Sequence, residues 1–153
     1  MGSSYSHACT ARRVLDIAPV VEVGVRSISK EEIKFYESSK SEKLDIYFYE
    51  RTTSTRSWNV NEVLEKLSEN VYISLDLDVL DPSIMSAVGT PEPGGIEWDK
   101  ITELMHAVCR GRNVVGFDVV ELCPPAGPTS CAFIAAKLAY KVMGYITSIN
   151  HKL

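Results

Sequence analysis

Two aspartates in residues 71–95 (VYISLDLDVLDPSIMSAVGTPEPGG) have the side chains and the spacing to hold a metal ion. Asp76 and Asp78 close an apolar run that is typical of a buried strand. Because residues two apart on an extended strand face the same side, both carboxylates can point to one place. Two neighbouring carboxylates repel each other unless a cation neutralises them. The pair therefore indicates a divalent metal: Mg²⁺, Ca²⁺ or Mn²⁺ with oxygen ligands alone, Mn²⁺ if imidazole joins.

Two other interpretations of the aspartates remain open from the residues alone. Asp76 and Asp78 could cap a following turn, and Asp81 before Pro82 is a typical start of a β-turn. A Mg²⁺-dependent phosphohydrolase also places aspartate pairs after a buried strand. The chain lacks the Gly-rich loop that opens a helix and cradles phosphate, which disfavours that second alternative.

Hydrophobic periodicity predicts alternating helices and strands along the chain. Ser29 with Glu32 forms a capping-box signature, and either Ser57 or Asn59 can cap the next helix. A helix at 6–17 is ended by Pro19. The other helices are predicted near 30–38, 60–68, 98–109 and 130–145, and the strands at 20–25, 44–49, 71–77 and 114–120.

This alternation predicts an α/β fold in which a parallel sheet lies between helix layers, with strands covered on both faces. A chain of 153 residues without a repeat or linker is expected to form one domain, residues 1–153. Ligands of such sheets bind beyond the carboxyl ends of the strands. Asp76, Asp78, Asp118 and Glu121 lie at or near those ends.

Composition excludes several classes of function. A net charge of −4 without a basic stripe disfavours nucleic acid as a partner. The sequence shows no run of 18 apolar residues and no leader at its start, so we expect a cytoplasmic protein without a membrane span. The four cysteines lack C-x-x-C spacing, which predicts reduced packing residues rather than disulfides or a zinc site.

Several ordered motifs resemble the ureohydrolase family, which includes arginases and agmatinases. They are residues 5–9 (YSHAC), 23–27 (VGVRS), 75–82 (LDLDVLDP), 89–95 (GTPEPGG) and 118–121 (DVVE). The resemblance covers almost the whole chain and is closest to agmatinases. It implies a three-layer α/β/α, arginase/deacetylase-like fold and Mn²⁺-dependent hydrolysis of a guanidino group. Agmatine, giving putrescine and urea in polyamine biosynthesis, is the expected substrate; arginase and guanidinobutyrase activities are the alternatives.

The resemblance also assigns roles to individual residues. Asp76 is implied as a bridging ligand of two Mn²⁺ ions and Asp78 as a ligand to one of them. Glu121 is implied to bind the guanidinium, which a carboxylate can do bidentately. His7 is implied to move protons or to contact substrate, and Thr90 to line the pocket. His106 and His151 match no motif, and we expect neither of them to be a ligand.

The upstream half of the family is missing from this sequence. In relatives that half carries a further histidine and a D-A-H-x-D segment, which together supply four of six metal ligands. We therefore expect these residues to correspond to the C-terminal half, without the N-terminal strands, and to hold Mn²⁺ weakly. An uncovered sheet edge would favour a homo-oligomer, and relatives form trimers or hexamers. A non-catalytic fragment that binds a ligand or a partner subunit is the alternative.

Overall fold

The computed structural model describes residues 5–38, 43–49 and 58–150, except for the side chains of residues 149 and 150. The chain divides into two compact units, Met1–Phe48 and Tyr49–Leu153. Each unit has its own pair of parallel strands and its own helices. The organisation of the chain as a single domain stays a prediction.

The first unit pairs two parallel strands. A 3₁₀ turn at His7–Cys9 leads into α1 (Thr10–Val14), and α2 (Lys30–Ser38) connects β1 (Val20–Val25) to β2 (Leu44–Phe48). Val20 lies opposite Leu44 at the start of the ladder. The predicted strands and α2 are confirmed to within one residue, whereas the predicted helix at 6–17 is a 3₁₀ turn followed by a shorter α-helix.

The predicted capping box at Ser29 and one of the two predicted caps of the next helix are present. The backbone N–H of Ser29 donates to Oε2 of Glu32 at 2.7 Å, and the N–H of Glu32 donates to Oγ of Ser29 at 3.1 Å. Asn59 caps the next helix, since its Oδ1 accepts from the N–H of Asn61 at 2.9 Å. Ser57, the alternative cap, lies outside the described residues. These caps satisfy N–H groups that a helix start leaves without an intrahelical acceptor.

Glu22 in β1 makes the stability of the first unit depend on pH. Burial, and secondly the charge of Glu32, raise the pKa of Glu22 above its ordinary value of 4.5. The folded chain therefore binds this proton more tightly than the unfolded chain, so stability falls as pH rises from 4.5 through the raised pKa. We expect Glu22→Gln to unfold at higher urea than the wild type at pH 7, by a margin that shrinks towards pH 4.5.

The measurement is urea unfolding followed by circular dichroism between pH 4 and pH 8. Glu31→Gln removes the same charge from an exposed position on α2 and serves as the control. An equal margin for the two variants at every pH would contradict the burial of Glu22 as the cause.

The second unit pairs two parallel strands against three helices. Its elements are α3 (Val60–Lys66), β3 (Asn70–Asp76), α4 (Trp98–Gly111), β4 (Asn113–Val120) and α5 (Thr129–Asn150). Helix α4 packs against α3 and α5, and both α4 and α5 contact β4. The fully buried side chains of the core include Leu77, Leu80, Met85, Ile96, Leu138 and Val142. Within the described residues, no helix is long and apolar enough to cross a membrane.

The parallel pairs with their connecting helices confirm the α/β class, but the burial of β3 differs from the prediction. Val71 and Leu75 are buried, whereas Tyr72, Ser74 and Asp76 are exposed. A strand covered on both faces was expected, and in this chain β3 buries one face only. The reason is readable in the sequence: polar side chains alternate with apolar ones, which is the pattern of a strand with one covered face.

Candidate active site

The end of β3 brings the two aspartates together in a different way from the one predicted. The strand was expected to run to residue 77 with Asp76 and Asp78 on one extended face. Instead it ends at Asp76, and Leu77–Val79 forms a 3₁₀ turn with Leu77 fully buried. Oδ1 of Asp76 accepts a hydrogen bond from the backbone N–H of Asp78 at 2.8 Å. Asp76 therefore caps the turn that carries Asp78, so the predicted capping role and the clustering of the two carboxylates occur together.

Asp78 faces the loop that contains the G-T-P-E-P-G-G motif. The hydroxyl of Thr90 donates to Oδ2 of Asp78, while Oδ1 of Asp78 is shielded from solvent. The sequence predicted Thr90 as a pocket residue, and the structure places it in contact with a predicted metal ligand. Further along the same segment, Oδ1 of Asp81 accepts from the N–H of Ser83 at 2.8 Å, which confirms the expected turn at Asp81.

Glu121 lies beside the same loop. A Cβ built on Gly89 would stand 3.9 Å from Oε2 of Glu121, in ordinary van der Waals contact. An antiparallel bridge joins Val88 to Leu122, and the N–H of Cys123 donates to the carbonyl of Ala87 at 2.8 Å. The loop that follows β3 is thus fastened to the loop that follows β4. Through this link the structure brings together Asp76, Asp78, Thr90 and Glu121.

Glu121 has a backbone conformation that the sequence did not predict. Its φ of 68° makes it the only non-glycine residue with a positive φ among the described residues. The left-handed conformation costs an L-residue about 1–2 kcal/mol. Strain of this kind is concentrated at functional sites. Glycine would adopt this conformation at a lower conformational energy. The glutamate at this position is therefore a candidate for a functional carboxylate.

Close packing between the two loops depends on Gly127. A Cβ on Gly127 would lie 2.9 Å from the backbone nitrogen of Ala87, which leaves no room for a side chain. We expect Gly127→Ala to lower the free energy of unfolding by about 1–3 kcal/mol, because backbone must move to admit the methyl group. Urea unfolding of the 153-residue chain measures this.

Gly144→Ala is the matched control for that substitution. Gly144 lies in α5 with nothing within 4 Å of an added Cβ. Alanine is about 1 kcal/mol better than glycine inside a helix, so this control should stabilise the chain. A Gly127→Ala chain as stable as the wild type would show that the two loops are not held in close contact.

The three histidines, of which only His7 was predicted to have a role, lie far from these carboxylates in the sequence. His7 belongs to the first unit, where it is exposed and starts the 3₁₀ turn, with its carbonyl accepting from the hydroxyl of Thr10 at 2.8 Å. His106 is exposed on α4 and meets the ring of Tyr145 edge to face at 5.0 Å. His151 lies outside the described residues. The role of His7 stays a prediction.

The donor set formed by Asp76 and Asp78 is smaller than a complete metal site requires. Asp76 and Asp78 are the hard oxygen ligands that Mn²⁺ accepts, and they are adjacent. Across residues 5–38, 43–49 and 58–150, however, no group of three or more His, Cys, Asp or Glu side chains could hold a metal ion. The four cysteines, all of them among the described residues, carry free thiols. By their chemistry, Asp76 and Asp78 could occupy two positions of a metal site but could not form one alone.

Comparison with known proteins gives a consistent result. Residues 1–144 match the Arginase family. The N(1)-aminopropylagmatine ureohydrolase of Thermus thermophilus is 39% identical over 145 residues, which make up 94% of this chain and 47% of that relative. The agmatinase of Pyrococcus horikoshii is 33% identical over 147 residues, covering 94% of this chain and 49% of the relative. The chain spans about half the length of the curated relatives it matches.

A solved structure supports the same relationship in three dimensions. The agmatine ureohydrolase of Thermoplasma volcanium superimposes with a TM-score of 0.80 at 29% sequence identity, covering 100% of this chain and 52% of the other. The ordered motifs, the α/β fold and the match over residues 1–144 therefore agree: this chain belongs to the arginase family.

Proposed function

We propose that the protein to which this chain belongs hydrolyses a guanidino compound, releasing urea and an amine. The observation that carries the proposal is the joining of Asp76, Asp78, Thr90 and Glu121 by two fastened loops at the carboxyl ends of β3 and β4. Membership of the arginase family supports the reaction class. A site of this kind holds an oxygen-liganded cation and a cationic substrate with the same group of carboxylates.

Each residue has a distinct task in this proposal. Asp76 and Asp78 would hold two positions of a manganese site, completed by ligands from outside the described residues. Mn²⁺, when bound, would supply a water of lowered pKa for attack on the guanidinium carbon. Glu121 would bind the guanidinium through paired N–H donors and fix its orientation.

Proton movement completes the reaction. The oxygen of water adds to the guanidinium carbon, and the bond from that carbon to the alkyl-bearing nitrogen then breaks. Both protons of the water end on the departing amine, which leaves as an ammonium ion beside neutral urea, and His7 would deliver one of them as a general acid. Thr90 would hold Asp78 in place through its hydroxyl.

Agmatine is the proposed substrate, with putrescine and urea as products. N(1)-aminopropylagmatine is the second candidate, because the Thermus thermophilus relative that is 39% identical bears that name. Both compounds present the same guanidinium to Glu121 and differ at the far amine. Arginine and guanidinobutyrate, which carry a carboxylate, are the discriminating controls.

The test is urea release with Mn²⁺ and each of the four compounds. We expect the 153-residue chain alone to release none, because Asp76 and Asp78 supply too few ligands to hold Mn²⁺ firmly. We expect release from an extended chain, in which an upstream segment with the D-A-H-x-D motif precedes these 153 residues. No release from the extended chain with any guanidino compound would refute the proposal and favour a non-catalytic member of the family.

We also propose that the protein forms a homo-oligomer. In the second unit β3 and β4 form a two-stranded sheet, and a sheet edge favours association with another chain. Sedimentation of the extended chain at two concentrations tests this, and a single monomer species at both would contradict it.

A further inference from the structure

A hydrogen-bonded network crosses the exposed face of β3 and β4 just before the site. The phenol of Tyr72 donates to Oδ2 of Asp118 at 2.9 Å, and the hydroxyl of Ser74 donates to Oδ1 of Asp118 at 2.8 Å. Each carboxylate oxygen of Asp118 thus accepts a hydrogen bond from a hydroxyl group on the neighbouring strand. The proposed chemistry uses none of these three side chains.

Gly116 makes the first of these bonds possible. Gly116 is the register partner of Tyr72, and a Cβ built on it would lie 3.0 Å from Cε2 and 3.1 Å from Cδ2 of the tyrosine ring. The ring therefore lies across β4 in the space that a side chain would otherwise fill. From there its hydroxyl reaches Asp118, two residues further along β4.

The network lies directly beyond an irregularity in the strand pairing. Val71 pairs with Val114 but Tyr72 pairs with Gly116, so Val115 is an extra residue of β4. At a bulge two residues of one strand lie opposite one residue of the other, so the position of the bulge sets the pairing of all residues beyond it. If the extra residue were accommodated beyond Asp76 instead, Asp76 would pair with Val119 rather than Val120. That change moves Asp76 by about 3.3 Å relative to Glu121.

Burial alone discriminates incompletely between these two registers. In the alternative register, Phe117 and Val119 of β4 would lie opposite different residues of β3. Both side chains are only partly buried. No residue of β4 is fully buried, so complete burial fixes neither face of that strand and specifies its register only weakly. A specific cross-strand contact beyond the bulge is therefore needed to select one pairing.

We propose that Asp118 is a positioning residue: by holding Tyr72 and Ser74 it fixes the register of β3 against β4, and so places Asp76 and Asp78 beside Glu121. The register is a property of the 153-residue chain. Its importance for catalysis rests on the proposed function.

The register can be measured directly by NMR on the 153-residue chain. In the wild type we expect cross-strand contacts between Asp76 and Val120 and slow amide exchange at residues 73–76. In Asp118→Ala we expect those contacts to weaken and exchange at 73–76 to accelerate by about tenfold or more, since two hydrogen bonds to a charged acceptor are lost.

Asn113→Ala is the matched control, because it also removes a cross-strand side-chain hydrogen bond. Nδ2 of Asn113 donates to Oδ1 of Asn70 at 2.6 Å, but this pair precedes the bulge. We expect Asn113→Ala to leave the contact of Asp76 with Val120 unchanged. Equal effects of the two substitutions, or an unchanged contact in Asp118→Ala, would overturn the proposal.

Milder substitutions cover the case in which Asp118→Ala does not fold. Tyr72→Phe and Ser74→Ala each remove one of the two hydrogen bonds to Asp118. Each should accelerate amide exchange at residues 73–76 by less than the double variant that carries both substitutions. Asp118→Asn keeps one acceptor oxygen and should restore part of the protection. A double variant with wild-type exchange at residues 73–76 would overturn the proposal equally.

Kinetics of the extended chain add a readout that general loss of stability would not produce. Displacement of Asp76 and Asp78 should lower kcat by about tenfold, while KM changes by less than about twofold because Glu121 remains on β4. A rise in KM with unchanged kcat would contradict positioning of the aspartates. If the extended chain releases no urea at all, the proposed function fails, whereas the NMR result on register still stands or falls by itself.

Discussion

Asp78→Asn should abolish urea release by the extended chain and weaken its binding of Mn²⁺ by at least about 100-fold. Substitutions of residues that merely support a metal ligand typically cost 10–100-fold in affinity, and loss of a ligand should cost more. Asparagine keeps the shape of the side chain and an oxygen that can accept from Thr90. The loss is therefore one of charge, not of packing.

Electron paramagnetic resonance of added Mn²⁺ measures this affinity independently of turnover. Asp99→Asn, which neutralises an aspartate in the first turn of α4, is the control and should bind Mn²⁺ as the wild type does. Urea unfolding without metal should find Asp78→Asn at least as stable as the wild type, because a repulsion with Asp76 is removed. Wild-type Mn²⁺ affinity in Asp78→Asn would exclude Asp78 as a ligand.

Glu121→Gln should lower kcat/KM of the extended chain by about 10- to 150-fold, which corresponds to losing a charged hydrogen bond worth about 1.5–3 kcal/mol. Glutamine is isosteric but presents one acceptor and no charge to the guanidinium. Mn²⁺ affinity should change little, which separates this effect from that of Asp78→Asn. Glu65→Gln, at an exposed position on α3, is the control and should leave the kinetics unchanged.

The strained backbone of Glu121 provides a second substitution with opposite effects on stability and activity. Glycine adopts a φ of 68° without steric cost, so Glu121→Gly should unfold at equal or higher urea than the wild type. The same chain should release urea no faster than Glu121→Gln does. Full activity in Glu121→Gly would show that the carboxylate does not bind substrate.

Local sequence signals were sufficient for most of the secondary structure. Glycine, proline and capping residues act within a few positions, so the helix start at Ser29 with Glu32 was recognised, and the next start was narrowed to Ser57 or Asn59. The strand boundaries followed from runs of apolar residues. The end of β3 was predicted one residue too late. An apolar Leu77 is compatible with a further strand residue and with the first residue of a turn, and the side chain of Asp76 caps the turn instead.

The site was predicted only as a set of residue types at strand ends. Sequence spacing placed Asp76 near Asp78, and the resemblance to ureohydrolases added Thr90 and Glu121. The sequence did not show that Val88 forms a β-bridge with Leu122 or that the backbone of Ala87 packs closely against Gly127. Nor did it show that Glu121 has a left-handed backbone conformation. The first two features join residues about 30 to 40 positions apart, where no periodic signal connects them, and the third is a backbone angle that residue spacing does not reveal.

The sequence by itself therefore determined the α/β class, the caps and the family, because these depend on local patterns and ordered motifs. The tertiary structure alone decided the register of β3 on β4 and the contact between the two loops. The physical reason is that a ladder of backbone hydrogen bonds is nearly the same in every register. Side chains that meet across the strands, such as Tyr72, Ser74 and Asp118, select one pairing and so set the positions of Asp76 and Glu121.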